Sequence, residues 1–346
     1  MKELVVISGK GGTGKTSIVA SFAALAKNAV LADCDVDAAD LHLILRPDVR
    51  QTQDFTGGKR AFIHPDKCIG CGLCLSYCRF GAVVQDDNAD ELSASGLKDC
   101  ENCDHCKRSC SIRNRSLIRE MQQSMGLAGP TVFRIDPFAC EGCKVCVEFC
   151  PVQAIDFKPV INGQWFISDT RFGPMVHAKL GIAQENSGKL VTLIRTEAKK
   201  IAEEKNRDLL IVDGSPGIGC PVIASITGAD MVLVVTEPTL SGRHDLKRAA
   251  QLAANFKIPV MVCINKADIN QEIAEQIEDY ARSQNMKVAG KISYDNVFTK
   301  AQIVESAVVE YADNKISQEI ETLWQNVINE LNLERKTKDA NSDSIS

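Results

Sequence analysis

The chain has 346 residues, 45% hydrophobic and 25% charged, with a formal net charge of −5. That composition belongs to a globular protein long enough for two cores. The acidic balance argues against general nucleic-acid binding, which needs a basic surface to displace counterions.

Leu4-Val5-Val6-Ile7 opens the chain as an apolar strand. No basic region with a small-residue cleavage site precedes it, so the expected compartment is the cytoplasm. A glycine-rich loop over 9–14 and a helix over 16–27 follow, the helix carrying Ile18, Val19, Phe22, Ala23 and Leu25. A second apolar strand, Val30-Leu31-Ala32, runs out at Asp33 and Asp35. Strand, loop, helix and strand at this spacing make a βαβ unit and imply a parallel sheet.

The loop reads Gly9-Lys10-Gly11-Gly12-Thr13-Gly14-Lys15-Thr16, which fits G-x-x-x-x-G-K-[ST] between a strand and a helix. Glycines in such a loop let backbone N–H groups turn inward around phosphate oxygens, and the helix N-terminus adds its dipole. Lys15 is placed to balance β/γ-phosphate charge, and the Thr16 hydroxyl to ligate Mg²⁺.

Cysteine usage is uneven. Twelve of the 15 cysteines lie between Cys68 and Cys150, in three groups spaced C-x2-C-x2-C-x3-C. These are Cys68, Cys71, Cys74 and Cys78; Cys100, Cys103, Cys106 and Cys110; and Cys140, Cys143, Cys146 and Cys150. In a reducing compartment such density reads as metal binding rather than disulfides. The spacing lets three thiolates curl around one corner of an iron–sulfur cubane while the fourth is aimed elsewhere. Zinc sites more often pair two C-x2-C units across a longer gap. The other three, Cys34, Cys220 and Cys263, lie outside this window; Cys34 and Cys263 read as core residues.

Beyond the cysteine window the α/β alternation resumes. A helix over 190–204 leads into Leu209-Leu210-Ile211-Val212-Asp213, and further apolar strands stand at 231–235, 260–264 and 287–289. Helical segments over 245–255 and 271–283 separate them. The last helix, 316–331, puts Ile316, Ile320, Leu323, Trp324, Val327, Ile328 and Leu331 on one stripe. Its polar face carries Glu319, Glu321 and Glu330 rather than the basic residues of a membrane-surface helix, so it should dock on the core. The stretch 214–229 is the longest without a charge and is too short to span a bilayer. The tail from 332 is polar and reads as disordered.

The GKGGTGKT loop, with its early Lys10, resembles the deviant phosphate loop of the MinD/ParA family of P-loop ATPases, which is related to the nitrogenase iron protein. The outer cysteine groups resemble a bacterial-type ferredoxin repeat: Ile63-His64-Pro65-Asp66-Lys67-Cys68 parallels Ile135-Asp136-Pro137-Phe138-Ala139-Cys140. Arg79 stands where the second copy has Pro151. The combination resembles MinD-superfamily ATPases with an inserted ferredoxin domain. It implies a doubly wound, mostly parallel α/β sheet divided as 1–58 and 158–331, with the ferredoxin-like insert at 59–157 and the tail at 332–346.

The resemblance also implies roles. Gly11, Gly12, Thr13, Gly14, Lys15, Thr16 and Ser17 would hold ATP and Mg²⁺. Lys10 would reach the phosphates of a partner protomer. Asp213 would act as the Walker B carboxylate, and Gly217, in Asp213-Gly214-Ser215-Pro216-Gly217, would sense the γ-phosphate. Asp35 would position the attacking water. Asn265, in Asn265-Lys266-Ala267-Asp268, would read the base; the family favours adenine, although NKxD also resembles the guanine motif of GTPases. Two [4Fe–4S] clusters are expected, one on Cys68, Cys71, Cys74 and Cys150, the other on Cys140, Cys143, Cys146 and Cys78. The middle group has no reciprocal partner and departs from the family. A third [4Fe–4S] cluster is preferred there, and zinc, with or without His105, is the alternative.

The function these features imply is an ATPase whose nucleotide-driven dimer switch is coupled to electron transfer through [4Fe–4S] clusters. The alternative is an iron–sulfur or metallocofactor carrier. The expected partners are a second copy, or a paralogue, and a redox or cluster-accepting protein, with no nucleic acid or membrane.

Overall fold

The computed structural model describes residues 1–86, 132–181 and 187–331. The middle cysteine group, the segment 182–186 and the tail 332–346 lie outside the described residues. Two compact units are present. One is formed by residues 1–55 with the chain from 163 onward, the other by Thr56–Asn162. The second is slightly wider than the cysteine pattern suggests, because the division falls inside two long strands.

The strands are β1 (Lys2–Ser8), β2 (Ala29–Asp33), β3 (Asp48–Ile63), β4 (Val83–Asp86), β5 (Val132–Ile135), β6 (Ile155–Thr170), β7 (Gly173–Leu180), β8 (Leu209–Pro216), β9 (Met231–Thr236), β10 (Val260–Asn265) and β11 (Lys287–Ile292). Nine of them form one sheet in the order β11-β10-β9-β1-β8-β2-β7-β6-β3. From β11 to β7 every neighbouring pair is parallel, and β6 turns back antiparallel on β7.

The central strands are apolar along their whole length because helices cover both faces. Alternate residues of β1 separate cleanly. Val5 and Ile7 enter one core with Leu190, Ile194, Val222, Leu246 and Ile277. Leu4 and Val6 enter the other with Ile18, Phe22, Leu41, Ile320, Leu323 and Val327. The Lys315–Leu331 helix therefore docks on the sheet through the stripe read in its sequence. The Leu240–Asn255 helix begins earlier than its apolar pattern suggests because Thr239 caps it, its hydroxyl accepting from Gly242 N–H at 2.9 Å.

The C-terminal ends of β1, β2, β8, β9 and β10 lie along one edge of the sheet, the edge at which ligands bind in other parallel α/β sheets. The second unit has its own small core of Ala61, Cys74, Val83, Phe133 and Ile155, with the antiparallel pair β4 and β5 and the short helices Leu73–Tyr77 and Val145–Glu148. Among the described residues, no helix is long and apolar enough to cross a membrane.

Candidate functional site

The loop after β1 is a cradle. Gly12 and Gly14 have φ of +78° and +87°, which side-chain-bearing residues rarely adopt. A Cβ at Gly11 or Gly12 would meet nothing within 4 Å, so the concavity is open there. At Gly14 a Cβ would overlap the Asn265 amide. Lys15 opens the Lys15–Leu25 helix and is 5% exposed, and Thr16 is half-buried beside it. Ser17 turns the other way: its hydroxyl accepts from Gln302 Nε2 at 2.9 Å, so it braces the helix.

Three carboxylates surround Lys15. Its Nζ pairs with Asp213 and lies 3.2 Å from Asp35 Oδ2. Asp33 sits opposite Asp213 in the β2–β8 register, and both are fully buried. Burial works against the Lys15 charge, but Asp213 and Asp35 outweigh it and hold the pKa above the ordinary lysine value. Burial, reinforced by Asp213, pushes Asp33 well above the usual carboxylate range. Asp35 is also raised by burial, with Lys15 opposing.

Asp33 Oδ2, Asp35 Oδ1, Asp213 Oδ2 and Thr13 Oγ1 are buried without a hydrogen-bond partner. Three acidic groups around one ammonium leave excess negative charge that a proton or a divalent cation can offset. These orphaned oxygens fit Mg²⁺, which keeps several waters and takes few protein ligands.

Other expected residues are engaged differently in this structure. Gly217 N–H donates to the Ser8 carbonyl at 2.8 Å, so it points at the chain itself and not at a phosphate position. Asn265 is buried; its Nδ2 donates to the Thr13 carbonyl at 2.7 Å and its Oδ1 accepts from Lys266 N–H at 3.0 Å. Both ends of the amide thus engage the loop and its support in this structure. Asp268 likewise accepts from Tyr294 N–H at 2.6 Å. Lys10 pairs with Glu237 and donates to Ser241 Oγ at 3.1 Å. Lys266 joins them, 3.2 Å from Glu237 and 3.1 Å from the Gly12 carbonyl. Glu237 lies in Val235-Thr236-Glu237-Pro238-Thr239, a segment that resembles the MinD family, but nothing in that run points to its pairing with Lys10 and Lys266, which lie far away along the chain.

In the second unit the outer cysteines line two hollows. Cys68, Cys71, Cys74 and Cys150 line one of about 320 Å³. Cys78, Cys140, Cys143 and Cys146 line the other, of about 350 Å³. Each group thus places its fourth cysteine with the first three of the other. Among the described residues, no three His, Cys, Asp or Glu side chains converge tightly enough to hold a single metal ion. Four thiols spread around an apolar hollow fit a larger group such as a cubane cluster.

Burial, aided by neighbouring thiols, pushes Cys74 and Cys146 up to about 11. Burial also acts on Cys78, but backbone N–H groups from Phe80 to Val83 outweigh it and lower its pKa. Cys150 Sγ accepts from Ala154 N–H at 3.2 Å. Such N–H···S contacts stabilise thiolate and tune a bound cluster. Cys34 and Cys263 are buried, as core residues should be, and Cys220 is exposed.

The family model of the CobQ/CobB/MinD/ParA nucleotide binding domain matches residues 4–308. An uncharacterized protein of Methanocaldococcus jannaschii, MJ0578, is 28% identical over 273 residues, covering 78% of this chain and 79% of its own length. A ferredoxin of Saccharopolyspora erythraea is 42% identical over 41 residues, 12% of this chain and 39% of that protein. The cell division ATPase MinD of Pyrococcus furiosus has the same fold, with a TM-score of 0.50 and 12% identity over 95% of this chain and 98% of that one.

Proposed function

Because the chain belongs to the CobQ/CobB/MinD/ParA nucleotide-binding family, we propose that it is an ATP-hydrolysing iron–sulfur protein whose nucleotide-dependent dimerisation governs electron transfer. One observation carries this reading: a glycine cradle over a buried lysine and three carboxylates shares a chain with two hollows lined by four cysteines each.

Phosphates entering the cradle would draw Lys15 away from Asp213 and Asp35, since a polyanion competes for the same ammonium. Mg²⁺, held by the Thr16 hydroxyl and through water by Asp213, would neutralise phosphate charge. Asp35, relieved of Lys15, is placed to hold the attacking water. In-line phosphoryl transfer needs little beyond positioning and charge neutralisation. Gly217 N–H can leave the Ser8 carbonyl for a γ-phosphate, and that exchange is the switch between two arrangements of 213–217. The insert at 59–157 is read as ferredoxin-like, with [4Fe–4S] clusters on the two crossed cysteine sets supplying one-electron chemistry. The middle group is read as a third cluster site. A reducing cytoplasm would keep these thiols available.

The test is oxygen-free purification with iron, sulfide and zinc counted per chain, followed by reductive titration with and without ATP. About eight irons from the outer groups, plus four from a cubane on the middle group, are expected. Their reduction should respond to ATP and remain reversible. Loss of iron and sulfide to an apo-protein on ATP turnover would favour a carrier. An iron-free chain with unimpaired folding would end the redox reading.

A further inference from the structure

Lys10 is tied down within its own chain. Its ammonium pairs with Glu237 and donates to Ser241, while Glu237 also accepts from Lys266, which reaches the Gly12 carbonyl. Glu237 is the fixed member of this group. Pro238 disfavours helical backbone at Glu237, whose carbonyl accepts from Thr239 N–H at 2.7 Å. Its side chain is 14% exposed, against 36% for Lys10. The lysine is therefore the member free to move.

We propose that Glu237 is a positioning residue for Lys10, holding it in cis until it transfers to a phosphate bound by a second copy of the chain. This rests on the dimer reading above. The shared carboxylate explains how the transfer can be cheap. When Lys10 leaves, Lys266 stays on Glu237, so no partly buried carboxylate is stranded without a cation. What is lost is one partly exposed ion pair, roughly two- to fivefold in an equilibrium constant. A symmetric dimer releases two such pairs, so the effects multiply to about 4- to 25-fold. Lys266, held by Glu237 on the loop carbonyl, keeps the cradle shaped during the exchange.

The test uses the full chain with a non-hydrolysable ATP analogue and reads self-association by sedimentation. Glu237→Gln should tighten the dimer by about 4- to 25-fold. Ser241→Ala, which removes the weaker tie, should shift it in the same direction. In a Lys10→Ala background Glu237→Gln should bring no gain in self-association, a coupling that a merely structural glutamate would not show. An unchanged or weakened dimer from Glu237→Gln, or the same gain without Lys10, would overturn the assignment. A wild-type chain that stays monomeric with the analogue would overturn the dimer reading as well, since no second copy would receive Lys10. That outcome is distinguishable because it concerns the wild type.

Discussion

The Asn265 side chain spans from the Thr13 carbonyl, 2.7 Å from its Nδ2, to the Lys266 N–H, 3.0 Å from its Oδ1. This amide fixes the floor of the cradle at the turn where Gly14 leaves no room for a Cβ. Alanine at 265 would orphan a buried carbonyl, at a cost of about 1–3 kcal/mol. Aspartate could keep the Lys266 contact but has no N–H for Thr13. Asn265→Ala and Asn265→Asp should each weaken ATP binding by about tenfold or more, with the ATP-to-GTP ratio unchanged. Calorimetry with both nucleotides checks this. A ratio that moved would show the amide reading the base after all.

Tyr77 and Phe149 stack with ring centroids 4.1 Å apart, each just before the fourth cysteine of its group. The crossing of the cysteine groups makes a pairing prediction. Cys78→Ser should perturb the same cluster signal as Cys140→Ser, although Cys78 belongs to the other sequence group. Cys150→Ser should resemble Cys68→Ser. Electron paramagnetic resonance of reduced, oxygen-free protein separates the two cases. If Cys78→Ser instead matched Cys68→Ser, each group would hold its own cluster and the crossing would be wrong.

The legible parts of the fold were those with short-range causes. The cradle is written in consecutive residues, and β8, β9 and β10 are unbroken apolar runs because helices cover both faces. The strands β3, β6 and β7 escaped the sequence pattern. Most of the first half of β3 is exposed, with Arg50, Gln51, Thr52, Gln53 and Asp54 in succession, as suits the outermost strand of the sheet. β6 runs through Asn162-Gly163, which reads locally as a turn. There Asn162 is buried, its Oδ1 accepting from Gly57 N–H at 3.0 Å. At the site, the pairing of Lys15 with Asp213 joins a motif residue to the end of an apolar run, although β8 itself continues to Pro216. The ion pairs of Glu237, the Asn265–Thr13 bond and the Gly217–Ser8 bond were not legible, since each joins distant segments.

The two short cysteine helices start from equivalent positions, Gly72 with φ 73° and Lys144 with φ 67°. Both are left-handed, but only one is glycine. The Lys144 side chain is half-exposed and pairs with Glu148, an exposed contact that contributes little. Lys144→Gly should remove backbone strain of about 1 kcal/mol without emptying a packed position. Chelator-driven iron loss should be slower than in the wild type, and Gly72→Lys should accelerate it. Equal rates for all three would mean that the left-handed turn does not limit opening of the cysteine hollow.

His177 provides a pH test confined to the nucleotide unit. Burial, reinforced by the His42 ring stacked beside it, lowers its pKa to about 4. Its Nε2 lies 2.8 Å from the buried Ser168 hydroxyl, and Phe166 covers another side. The unfolded chain protonates this histidine near its ordinary pKa of about 6.5. A base with a depressed folded pKa keeps its full contribution above the unfolded value and loses it as pH falls toward the folded one. Stability should therefore drop by on the order of 2–3 kcal/mol from this group between about pH 6.5 and 4. Trp165 and Trp324 are the only tryptophans and both lie in this unit, so their fluorescence in urea isolates its unfolding. His177→Asn, which retains a hydrogen-bonding partner for Ser168, should remove that part of the pH dependence. If the two proteins lost stability in parallel through this window, His177 would not be the group that titrates.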